Sequence, residues 1–391
     1  MPSSTAIDDT FRRAVAAGDV PGAVAMAATD KGVVYDGAFG ARDLGAGTAM
    51  TRDTVFRLAS MSKMVTAVAV MQLVEQGRLA LDAPVPEIDP ALNAPLVLAG
   101  FDAGGAPILR PARRRITLRH LLTHTAGFTY EWCNANTMRY IKTSGMPSTS
   151  TGRLASLRMP LAFDPGERWH YGINIEWVGR IIEAVSGQTL DAYLRDHVTG
   201  PLGMDDTGYV ATPAQRARLT SIHQRAPDGT LAPLAPETPF TPEFWPGGSG
   251  LFSTAPDYLT LLRMLLNGGG SDGARILRAE TVALMGRNHI GDLPAGVLAT
   301  TMQARSNDVD LFPGGALRWG LGAMINMEAG PNGRGAGTQT WGGIYNGYFW
   351  LDPARRVAGV IMTQILPFAD PRVLALYGAF ERGVYDAAGA A

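Results

Sequence analysis

Ser60-Met61-Ser62-Lys63 sets a hydroxyl and an amine three residues apart. On a helix, positions i and i+3 share one face roughly 5–6 Å apart, so the Lys63 amine can fold back onto the Ser60 hydroxyl. A serine hydroxyl is a poor nucleophile without a base. A lysine serves as that base only where burial or neighbouring cations hold part of it neutral. Ser60 also stands at the expected start of a helix, where free backbone N–H groups can stabilise an oxyanion. The opposing reading is a solvent-facing Ser and Lys on an ordinary amphipathic helix. Composition weighs against it: the chain holds three lysines (Lys31, Lys63 and Lys142) against 31 arginines, so the pairing is seldom met by chance. The pair therefore predicts a serine hydrolase with Ser60 as nucleophile and Lys63 as general base, working through an acyl-enzyme.

Other chemistries find less support. No G-x-S-x-G elbow is present, which removes the signature of an α/β-hydrolase triad. His120 and His124 stand at i, i+4 spacing, but no Glu follows His120 and no third ligand can be chosen. Packing and helix-end hydrogen bonding are the expected roles of the two imidazoles, and no metal is expected. Cys133 is the single cysteine, which excludes an intramolecular disulfide, and it is expected to be an inert, half-buried side chain rather than a nucleophile. No glycine fingerprint for phosphates or dinucleotides appears, so no cofactor is expected. The formal net charge of −1 comes without a basic stripe or charge block, which argues against nucleic acid or an anionic membrane as partner.

The elements that must position the pair can be read from the pattern around it. Residues 22–40 read as a hairpin turning at Asp30–Lys31–Gly32. A helix is expected from Ser60 to about Gly77, with Val65, Val68, Ala69, Met71 and Val74 on one stripe. Further helices are expected over 117–127 with Thr117 as N-cap, 174–186 and 190–198, after a Thr254 cap, and over 371–385. Residues 225–250, rich in Pro, Gly and Thr, read as loop. Residues 340–351 and 357–366 read as two strands of a hairpin turning at Asp352–Pro353. Strands at both chain ends and helices between them predict an α/β (α+β) fold. One domain would be built from 1–79 and 221–391, with a mostly helical domain over 80–220 and the active site between them. Residues 1–9 read as a cap and the start of an amphipathic helix (Ile7, Phe11, Val15), without the basic and apolar regions of a secretion signal. The longest apolar run, 64–74, is far too short for a membrane span, so a cytoplasmic location is expected.

Several segments then resemble one family. FRLASMSK (56–63), LRHLLTHTAGF (118–128), WHYGINIEWVGRIIE (169–183), PLGMDDTGY (201–209), GGSGLFSTAPDY (247–258) and WGGIYNGYFWLDP (341–353) occur in family order over most of the chain. They resemble the serine β-lactamase/penicillin-binding-protein superfamily, and within it the class C β-lactamase-like esterases known as family VIII carboxylesterases. Residues 100–128 are also similar to the fungal acyltransferases of the statin pathway. The resemblance implies a β-lactamase-like fold, with a central antiparallel sheet flanked by helices and a helical domain beside it.

Carried over by position, it makes Tyr171 the phenol beside Lys63 that shuttles the proton from Ser60 to the leaving alcohol. The second motif, Tyr-x-Asn in class C enzymes, here reads Tyr171-Gly172-Ile173-Asn174. Asn174 is one residue late, and a helix cap is an alternative role for it. The third motif, Lys-Thr-Gly in β-lactamases, becomes Trp341-Gly342-Gly343 on the substrate-binding strand, with the Ile344 N–H joining the Ser60 N–H as oxyanion hole. Lys142-Thr143-Ser144-Gly145 precedes Tyr171, the wrong order for that motif. The lost lysine removes a cation that anchors β-lactam carboxylates and points to neutral, small-molecule carboxylic esters. An acyltransferase, a weak β-lactamase or DD-peptidase, and a non-catalytic penicillin-recognising domain stand as alternatives. Residues 130–160 and 225–250 are expected to shape the pocket.

Overall fold

The computed structural model describes residues 4–235, 241–271 and 273–389. Residues 1–3, within the expected N-terminal cap, and 236–240, within the expected 225–250 loop, lie outside the described residues. The centre is an eight-stranded antiparallel sheet drawn from both ends of the chain. Its order is Leu317–Trp319, Met324–Asn326, Gln339–Gly343, Gly347–Asp352, Val357–Met362, Gly22–Thr29, Gly32–Asp43, Thr48–Ala49. This is the α/β architecture with a central antiparallel sheet that the sequence implied.

The inner strands are buried almost along their whole length because both faces of the sheet are covered. Every residue of Gly347–Asp352 and of Val357–Met362 is buried. Consecutive side chains of a strand point to opposite faces. Phe349 accordingly meets Tyr258 of the helix Ala255–Leu266, while Trp350 meets Phe380 of the helix Pro371–Gly389. The helix Ser4–Ala16 packs beside Pro371–Gly389, through Phe11 against Phe380.

Two local expectations change. The segment 340–351 is not one strand but a hairpin. Gln339–Gly343 turns back at Ile344–Asn346 into Gly347–Asp352, with the Asn346 N–H donating to the Gly343 carbonyl at 2.9 Å and Asn346 at φ 62°. Gly-Ile-Tyr-Asn-Gly is a turn written in residues that also suit a strand, and asparagine tolerates the left-handed conformation the turn requires. The helix expected over 117–127 covers only Leu118–Leu122, because His124 adopts a left-handed φ of 57°. Thr117 does cap it, and the His120 imidazole reaches back to the Thr117 N–H.

Other elements follow the pattern closely. The helix Asn174–Ser186 ends at Gly187, and Thr254 caps the helix Ala255–Leu266. Residues 80–220 hold the helices Ala135–Ser144, Asn174–Ser186 and Leu190–Leu194 together with a hairpin of Leu96–Phe101 and Pro107–Pro111. Among the described residues no helix is long and apolar enough to cross a membrane.

Candidate active site

Ser60 lies in a single 3-10 turn, Ala59–Met61, that runs directly into the α-helix Ser62–Glu75. The residue before it, Ala59, has φ 47°, a left-handed conformation rare for a residue with a Cβ. That kink turns the chain sharply between the short strand Phe56–Arg57 and the helix. Neighbours fix the turn from several sides. The Leu58 N–H donates to the Leu251 carbonyl at 2.8 Å, the Tyr258 hydroxyl donates to the Met61 carbonyl at 3.1 Å, and Thr66 donates to the Gly247 carbonyl at 2.6 Å. Gly343 is pressed against the same turn: a Cβ there would stand 2.4 Å from the Leu58 carbonyl oxygen, so only glycine lets the sheet edge approach this closely.

The following helix is buried on all sides rather than along one stripe, with Ser62 to Met71 closed to solvent without a break. Lys63 is therefore drawn into the interior at 1% exposure, whereas Ser60 remains half-buried and reachable. The Lys63 Nζ donates to Ser60 Oγ at 3.1 Å, to the Tyr130 hydroxyl at 3.3 Å and to the Gly248 carbonyl at 2.8 Å. Burial pushes this amine down to about 8, and the Glu176 carboxyl opposes the fall.

Tyr171 closes the other side. Its ring centroid is 4.9 Å from Lys63 Nζ, and its hydroxyl is held by both Ser60 and the Trp341 indole, whose Nε1 donates to it at 3.2 Å. Burial raises the phenol well above its ordinary value, and those two hydrogen bonds work against that rise. Trp341 was expected on the substrate-binding strand. The structure packs it inside at 2% exposure, in an aromatic layer with Trp319 and Tyr171. Gly342 lies against the Tyr348 ring, and Ile344 opens the turn that follows Gly343.

Asn174 does not cap its helix: Ile173 occupies the cap position and no side-chain cap is made. Its Nδ2 contacts His124 Nδ1 at 2.9 Å and the Phe128 carbonyl at 3.3 Å, beneath the Tyr171–Gly172 segment. His124 also accepts from the Gly172 N–H at 3.4 Å, so its Nδ1 serves as acceptor, and burial keeps the ring neutral. With His120 turned onto Thr117 and His124 outside the helix, the two imidazoles do not form a ligand pair. Cys133 sits behind Tyr130 and Tyr171, its Sγ 3.7 and 3.8 Å from their carbonyl oxygens, and burial raises its thiol far from thiolate formation. Lys142 and Thr143 belong to the helix Ala135–Ser144, which Gly145 ends.

Three participants were not singled out in the sequence: Tyr130, Glu176 and Gly248. Tyr130 lies two residues past the LRHLLTHTAGF match, and Glu176 is an acid among the buried apolar residues of its helix, Ile175, Trp177, Val178, Ile181 and Ile182. The acid in that run was the available signal. Gly248 offers none, since it acts through its backbone.

A half-buried serine, a buried lysine touching it and a phenol beside both lie together on a β-lactamase-like fold. The Beta-lactamase family matches residues 7–382, and the chain belongs to it. The chain is 32% identical to the lovastatin esterase of Penicillium rubens, over 97% of this chain and 98% of that protein. It is 33% identical to the monacolin J acid methylbutanoyltransferase of Aspergillus terreus, over 97% and 95% respectively. A solved mutant form of simvastatin synthase from Aspergillus terreus superposes with a TM-score of 0.86 at 30% identity, covering 99% of this chain and 98% of that one. Hydrolytic and transferring enzymes thus share this chain's fold and length.

Proposed function

We propose that the protein is a carboxylesterase of the family VIII type, hydrolysing small-molecule carboxylic esters through an acyl-enzyme on Ser60. The observation that carries this reading is the 3.1 Å contact from a fully buried Lys63 amine to the half-buried Ser60 hydroxyl. In its neutral form Lys63 has a lone pair for the Ser60 proton, while its two remaining N–H bonds still serve the Gly248 carbonyl and Tyr130. Ser60 Oγ bonds to the ester carbonyl carbon as its proton passes to Lys63. The Ser60 and Ile344 N–H groups receive the oxyanion. Tyr171, its oxygen anchored by Trp341, passes a proton to the departing alcohol. Water then attacks the acyl-enzyme with Tyr171 taking its proton, and the acid leaves as Ser60 Oγ recovers its proton from Lys63. These steps call on no metal or cofactor.

A second reading, acyl transfer to an alcohol other than water, is favoured by the methylbutanoyltransferase relative. Both readings pass through the same acyl-enzyme, and one experiment separates them. p-Nitrophenyl esters are added with and without a series of alcohols, p-nitrophenol release is followed, and the intact mass and the peptide holding Ser60 are weighed. Hydrolysis gives turnover insensitive to alcohol. Transfer gives slow turnover that alcohols accelerate, with ester as product. An unmodified Ser60 peptide after rapid quench sinks both. A chromogenic cephalosporin in the same series tests β-lactam hydrolysis, which is expected to be weak because Trp341 stands where β-lactamases carry lysine.

Trp341→Phe is expected to lower kcat by about three- to tenfold, the scale of one neutral hydrogen bond. Phenylalanine removes the N–H and also leaves a gap in the buried aromatic layer, so thermal melting followed beside kcat separates the lost hydrogen bond from lost packing. An unchanged kcat would show that the indole does not orient the phenol.

A further inference from the structure

Lys63 and Glu176 come from separate helices and are joined by two bridges. One is the Tyr130 phenol, which accepts from Lys63 Nζ at 3.3 Å and donates to Glu176 Oε1 at 3.5 Å. The other is the Gly248 peptide, whose carbonyl accepts from Lys63 Nζ at 2.8 Å and whose N–H donates to Glu176 Oε2 at 2.7 Å. Both chains of hydrogen bonds run in one direction, from amine to carboxylate. The space is closed to anything larger than glycine: a Cβ at position 248 would lie 2.6 Å from Glu176 Oε1 and 3.1 Å from Lys63 Nζ.

The acylation steps above do not use a carboxylate, and burying one costs several kcal/mol unless a partner compensates it. Glu176 is 3% exposed, so its presence asks for a reason. The other titratable groups facing the pair directly supply no charge. Tyr130 and Tyr171 face Lys63, and Tyr209 faces Glu176; burial holds all three phenols protonated. His124, facing Lys63 from the loop after Leu118–Leu122, is held neutral. Glu131 acts on Tyr130 from the adjoining loop, and Glu183 and Asp191 act on Tyr209.

We infer that Glu176 is a positioning residue for Lys63. Held by Tyr130 and Gly248, it supplies the counter-charge that keeps the lysine in the closed site and sets the pH at which ammonium becomes base. This rests on the Ser60–Lys63 reading.

The sign of the effect is fixed by charge. An ionised Glu176 favours the ammonium form, so Lys63 empties at higher pH than it would alone. Wild-type kcat/KM for a p-nitrophenyl ester should rise with pH through a limb near 8, where burial places the amine. In Glu176→Gln the ammonium loses its partner, and the limb should move down by about one pH unit or more. In Glu176→Asp the charge stays but the arm is one methylene shorter, so the limb should fall between the other two. The same order should appear in NMR titration of 13Cε-labelled lysine, where three lysines give a readable spectrum. A merely structural carboxylate would lower Tm and leave the limb in place. Limbs that coincide in wild type and Glu176→Gln, or in wild type and Glu176→Asp should the glutamine variant not fold, overturn the inference. Quenched-flow mass analysis keeps the two ideas apart. A wild type that is never acylated on Ser60 removes the catalytic reading itself. Acylation on Ser60 with an immovable limb removes only the role of Glu176.

Discussion

Ser60→Ala is expected to stop ester turnover at acylation while leaving the protein folded. The Ser60 hydroxyl is the nucleophile of the proposed mechanism, and Ser60 is only partly buried. Alanine keeps the Cβ and suits the 3-10 turn, whose shape is held by Leu58, Met61 and Gly343 rather than by the hydroxyl. The lost contacts are two partly buried hydrogen bonds, with Lys63 and with Tyr171, each worth on the order of 1 kcal/mol. Stability should therefore fall by no more than about 2 kcal/mol. The rate should fall by on the order of 10^4–10^6-fold, the scale seen when a serine hydrolase loses its nucleophile. Steady-state turnover of a p-nitrophenyl ester, thermal melting and intact mass after incubation with ester check all three points. Retained turnover with an intact fold would move the nucleophile elsewhere.

Lys63→Met should be less damaging to rate and more damaging to stability. Methionine fills the space of the stem but cannot take the Ser60 proton, and loss of a general base costs on the order of 10^2–10^4-fold. It also leaves Glu176 buried without its cation. Removing one member of a buried pair typically costs about 3–5 kcal/mol, because the other charge is stranded. The variant should melt lower, and adding Glu176→Gln should restore much of the melting temperature without restoring turnover. Lys63→Arg is expected to be inactive as well, since a guanidinium stays protonated and has no lone pair to offer. A Lys63→Met protein that keeps its rate would exclude the lysine as base. A double variant no more stable than the single one would show that the carboxyl and the amine do not compensate each other.

These expectations depend on different kinds of information. Ser60 and Lys63 were legible because their relation is local: three residues on one helical turn fix the distance, whatever the rest of the chain does. The helices Asn174–Ser186 and Ala255–Leu266 were legible for the same reason, through periodicity and through Gly187 and Thr254 at their ends. Tyr171 had no local partner and was reached through a resemblance of whole segments. The hairpin Gln339–Asp352 was misjudged as one strand, since β-favouring residues continue through its turn and only the left-handed Asn346 marks the reversal. The helix expected over 117–127 failed on another left-handed residue, His124, held from outside by Asn174 and Gly172.

By itself, then, the sequence determined that a serine hydroxyl and a lysine amine would meet, the pair on which the proposed mechanism rests, because covalent spacing and helix geometry suffice for that. Tertiary structure alone decided that the amine would be buried, on which its proposed role as base depends. Tyr130, Glu176 and Gly248 reach Lys63 from distant parts of the chain, 67 residues away for the phenol and 185 for the carbonyl. Hydrogen bonds and burial on that scale follow from how helices and loops close around one another. The acidity of a buried amine is set by that closure, through lost hydration and the nearest opposing charge, and neither is written in the spacing of Ser60 and Lys63.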